Sequence, residues 1–107
     1  MVALALAFQA HAGVKLKYDI EGFVASCMAS GDLSRAVCEC TAKKASQELS
    51  PTGFDFLVAT LRKEKEKSLE LRRKLGQDEL LNAGMFMSRG PALCARELDQ
   101  KQKGHKK

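Results

Sequence analysis

The sequence predicts an all-α fold, a small bundle of about four helices stapled by two disulfides. Three observations lead there. The helix formers Ala, Leu, Lys, Glu and Arg dominate a chain of 107 residues that holds only two prolines. Apolar residues recur three and four positions apart, the period of a helix with one buried stripe. Cys27, Cys38, Cys40 and Cys94 form an even set in a short chain, which in an exported protein reads as a disulfide framework.

A chain of this length makes one domain with a modest core, and such domains gain much from covalent cross-links. It is 45% hydrophobic and 29% charged, which excludes disorder by composition. The net charge of +5 suits an anionic partner, but basic and acidic residues alternate along much of the chain, which equally describes a solvated surface.

The chain opens with MVALALAFQAHA. An apolar run over 2–8 is followed by the small-x-small triplet Ala10-His11-Ala12, so 1–12 reads as the remnant of a secretory signal peptide cleaved before Gly13. No Lys or Arg precedes the run, so the expectation is that the true start lies upstream. The domain then spans 13–98, and the polar, basic stretch 99–107 (DQKQKGHKK) is expected to be a disordered tail. The compartment implied is the periplasm or the exterior.

Asp19 caps the first helix, whose stripe is Ile20, Phe23, Val24, Cys27 and Met28; Ser30-Gly31 ends it. Asp32 is expected to cap a second helix to about Leu49. Leu33, Ala36, Val37 and Cys40 share one face of it, and Cys38, Ala42, Ala45 and Leu49 the other. Residues two apart on a helix point about 200° apart, so Cys38 and Cys40 must reach different neighbours. That makes the second helix the central one. Ser50-Pro51, a capping Ser before Pro at the first helical position, starts a third helix expected to run to Leu75, with Gly76 as its stop. Its core face is Phe54, Leu57, Val58, Leu61, Leu71 and Leu75. The intervening RKEKEK (62–67) reads as a solvated helical stretch with pairs such as Lys63–Glu66 and Glu70–Lys74. Asp78 caps a fourth helix, Glu79 to about Ser88; Gly90-Pro91 breaks it, and a last turn or two, Ala92 to Leu98, carries Cys94 to its partner.

A Cys38–Cys40 bridge would close a ring too tight for a helix. Two pairings remain open: Cys27–Cys38 with Cys40–Cys94, or Cys27–Cys40 with Cys38–Cys94. Zinc ligands usually pair as C-x2-4-C, which these spacings do not match, and no C-x-x-C redox motif occurs.

Catalytic constellations are missing. The two histidines, His11 and His105, fall in the signal-like segment and the tail, and the glycines are scattered singly, with no phosphate loop. The expectations are therefore no enzyme, no cofactor, no metal, no nucleic acid and no evident small-molecule substrate. Met85, Phe86 and Met87 are candidate partner-binding residues, because Met-rich surfaces adapt to varied partners.

Phe23-Val24-x-x-Cys27, then Cys38-x-Cys40, then Leu49-Ser50-Pro51 resembles a pattern in small exported helical, cysteine-containing proteins of Gram-negative bacteria, over roughly residues 18 to 98. The resemblance implies a periplasmic helical domain and transfers no activity. The function expected first is a protein-interaction or accessory factor. Binding of anionic envelope surfaces through the basic helix and tail comes second, and a thiol redox protein using Cys38 and Cys40 third.

Overall fold

The computed structural model describes residues 17–105, with side chains through Gln102. The signal-like segment 1–12 lies outside the described residues. The described chain is all-helical: α1 (Ile20–Ser30), α2 (Arg35–Glu48), α3 (Pro51–Leu61), α4 (Lys65–Lys74) and α5 (Gln77–His105). Five helices thus stand where the sequence suggests about four, because the third divides and the fourth continues.

α1 begins as expected, with the Asp19 carboxylate accepting from the Gly22 N–H at 3.0 Å. α2 does not begin at Asp32. Its N-cap is Ser34, whose hydroxyl accepts from the Val37 N–H at 3.2 Å. Ser50 caps α3, accepting from the Gly53 N–H at 3.1 Å, and its own hydroxyl donates to Glu79 Oε2 at 2.6 Å. One side chain so ties the start of α3 to the start of α5 by a charge-assisted bond.

The expected helix over 51–75 is interrupted at Lys63, which has φ 61°. Lys63 N–H donates to the Thr60 carbonyl and Glu64 N–H to the Ala59 carbonyl, at 3.1 and 3.0 Å. These are the two bonds of a Schellman C-cap, with Lys63 in the left-handed position where glycine is usual. The chain turns back, and Thr60 and Ser68 hydroxyls meet across the new hairpin at 3.2 Å. RKEKEK is therefore a corner, and among the described residues neither Lys63–Glu66 nor Glu70–Lys74 forms an ion pair. The turn lets the short α4 bury Leu71, with Leu75 buried just beyond its end.

Gly90-Pro91 does not break α5. Gly90 is buried, and a Cβ there would lie 2.9 Å from the tip of the Phe86 ring, so glycine is a packing requirement here. Pro91 removes the N–H that would bond the Met87 carbonyl, a defect of about 3 kcal/mol in a helix interior. The helix survives because both sides of the defect are anchored: Phe86 and Gly90 before it, Cys94 after it. α5 runs on past Asp99 to His105, through most of the stretch that the sequence reads as a disordered tail.

The core joins Phe23, Val24 and Cys27 of α1, Cys38, Ala42 and Ala45 of α2, Phe54, Leu57 and Val58 of α3, and Ala83 and Phe86 of α5, with Leu49 between α2 and α3. Phe54 is its centre, 5.1 Å from the Phe23 ring and 5.2 Å, edge-on, from Tyr18. The Tyr18 hydroxyl donates to the Leu49 carbonyl at 2.8 Å, closing the entry to α1 against the end of α2.

Two glycine exchanges test these assignments. Lys63→Gly removes the left-handed penalty and raises unfolding stability by about 0.5–1 kcal/mol in urea titration. Gly90→Ala, despite the better helix former, lowers it by about 1 kcal/mol or more, because the Phe86 ring must move in a packed core.

Candidate interaction face

α2 carries the two bridges on opposite faces. Cys27 and Cys38 stand at disulfide distance, Cα atoms 5.8 Å apart, and so do Cys40 and Cys94, also 5.8 Å. Of the two pairings the sequence leaves open, the structure selects this one. Cys38 shares the core face of α2 with Ala42 and Ala45, and Cys27 on α1 looks into the same core. Cys40 points the other way, toward the distal part of α5, where it meets Cys94. Cys38 and Cys40 do not face one another, and among the described residues no cysteine is left unpaired.

The bridges differ in setting. Cys27 and Cys38 belong to the core cluster and are buried. Cys40 is only half-buried, at the edge of a depression of about 300 Å³ with Lys43, Lys44, Glu97 and Lys101 on its rim. Past Pro91, α5 is held against α2 by Cys94 and by the Lys44–Glu97 ion pair at 3.0 Å, and Leu98 lines two depressions that α5 shares with α2. At the other end of α2, Arg35 bonds Glu21 of α1 at 3.3 Å and Glu39 at 3.0 Å; Glu21 first, then Glu39, raise the pKa of the guanidinium.

The three candidate residues Met85, Phe86 and Met87 separate on the helix, because successive residues point about 100° apart. Phe86 is buried in the core, Met87 is half-buried against it, and Met85 is 45% exposed. The structure brings Met85 instead into line with Leu81, Ser88 and Ala92, at spacings of four, three and four. Leu81 is 62% exposed, and Ser88 and Ala92 are also exposed. Gln77, Leu80, Leu81, Gly84, Met85 and Ser88 border a shallow depression of about 420 Å³ along α5 itself. This outer face lies roughly opposite Ala83, Phe86, Gly90 and Cys94, so α5 is apolar on two sides. The signal for it is present in the sequence as the Leu81-x3-Met85 pair. Reading Met85, Phe86 and Met87 as one contiguous cluster obscures it.

Among the described residues no three of His, Cys, Asp and Glu come together to hold a metal ion, and no helix is long and apolar enough to cross a membrane. A scan of protein-family models matches none, and searches of curated proteins and of solved structures find no similar chain.

The Cys40–Cys94 bridge separates from Cys27–Cys38 in a simple experiment. Graded reduction with trapping by alkylation, read by peptide mass, labels Cys40 and Cys94 first, because attack needs access to a sulfur. Replacing both with Ser costs about 2–4 kcal/mol and speeds amide exchange in α5 beyond Pro91 before it does so in α1.

Proposed function

We propose that this chain is a disulfide-clamped helical interaction protein of an oxidising, exported compartment, working through the outer face of α5 and without catalysis. The observation that carries the reading is the two-sided apolarity of α5. A surface helix needs one apolar stripe for its own core, and α5 spends Ala83, Phe86 and Cys94 on that side. Leu81 and Met85 add a second apolar site opposite, exposed and outside the core formed by the described residues. Both cysteine pairs suit an oxidising compartment, where bridges persist. They also suit a binding role, because a helix clamped along its length presents its outer face already ordered and loses less entropy on association.

The test is differential capture. Tagged full-length chain, oxidised, is incubated with periplasmic extract and crosslinked. The reading expects a band captured by the wild type, lost with Leu81→Asp and with Met85→Asp, and kept with Lys65→Asp on the charged corner. Equal capture by all four proteins, each folded by circular dichroism, overturns it.

A further inference from the structure

We infer that the occupant of the outer face of α5 is the same face of a second copy of this chain, packed antiparallel about a twofold axis. The inference rests on the interaction reading above and names its partner. The argument is complementarity of size and charge along one helix.

The face divides into a large half and a small half. Leu81 and Met85 lie toward the N-terminal end; Ser88 and Ala92 follow. Antiparallel pairing of two such faces about a point between Phe86 and Met87 sets Leu81 opposite Ala92 of the second copy and Met85 opposite its Ser88. Every layer then matches a large side chain with a small one, and the two axes approach closely. Parallel pairing would stack Leu81 on Leu81 and Met85 on Met85, and leave Ser88 and Ala92 as a gap. Gly84 flanks the same face, and a Cβ there would meet nothing within 4 Å in its own chain. A mid-helix glycine costs about 1 kcal/mol relative to alanine. The fold of the single chain does not require this one, whereas a closely approaching neighbour does.

Charge follows the same symmetry. In an antiparallel helix pair, like flanks meet. Asp78 and Arg96 lie on the same flank of the face, one at each end, and both are exposed. The pairing that joins Leu81 to Ala92 brings Asp78 of each copy level with Arg96 of the other, giving two equivalent ion pairs. Among the described residues neither Asp78 nor Arg96 is used in an ion pair within the chain. The contact spans about 16 Å of helix, at 1.5 Å per residue, which belongs to the small and reversible class of interface.

The experiment is sedimentation velocity of the full oxidised chain from ~1 µM to ~1 mM, a range suited to such an interface. The expected result is a concentration-dependent monomer–dimer equilibrium. Leu81→Asp weakens it by ~10-fold or more, as loss of a central apolar anchor does. Asp78→Arg alone weakens dimerisation, and the double variant Asp78→Arg, Arg96→Asp restores it, which a merely structural role for either residue does not predict. A chain that stays monomeric throughout, or a dimer that Leu81→Asp leaves intact, overturns the inference. Monomeric protein whose capture of a different partner still depends on Leu81 sinks the inference alone and leaves the wider reading standing. Loss of both sinks both.

Discussion

The architecture depends on one constraint, the spacing of Cys38 and Cys40 on α2. Two positions along a helix turn the side chain by about 200°, so one thiol must enter the core and the other must leave it. Cys38 enters and meets Cys27 of α1; Cys40 leaves and meets Cys94 of α5. α2 becomes the spine to which both the first helix and the end of the last are fastened. The Cys40–Cys94 pair fastens the distal part of α5 to α2 beside the Lys44–Glu97 ion pair, with a proline behind it.

That fastening explains why α5 tolerates features that end helices elsewhere. A proline interior to a helix costs about as much as a disulfide contributes. The anchors at Phe86 and Cys94 flank Pro91, and the helix continues through it. Gly90, which reads as a breaker, is there because the Phe86 ring occupies the space of its side chain. Leu81, Met85, Ser88 and Ala92 are carried on one continuous helix as a consequence, and the outer face extends to Ala92 only because the helix does not stop at Ser88.

The corner at Lys63 shows the opposite case, where a helix stops without a sequence signal. Nothing in RKEKEK is a turn former, and charge alternation is what a solvated helix shows. The break comes from the core: a straight helix over 51–75 would carry Leu71 and Leu75 past the bundle into solvent, whereas folding back buries both. Burial of two leucines is worth several times the cost of one left-handed lysine.

From the sequence alone follow the helical class, the caps at Asp19 and Ser50, the central place of α2, and the core stripes of α1, α2 and α3 apart from Met28, Leu33 and Ala36, which are exposed, because each rests on local chemistry or helical period within a few residues. The partner of each cysteine, the fate of Gly90-Pro91 and the turn at Lys63 were decided by the tertiary structure. These depend on what lies across the core, at sequence separations of 11 and 54 for the bridges. A residue's propensity is a preference of about 1 kcal/mol, and a buried ring or a covalent bond outweighs it.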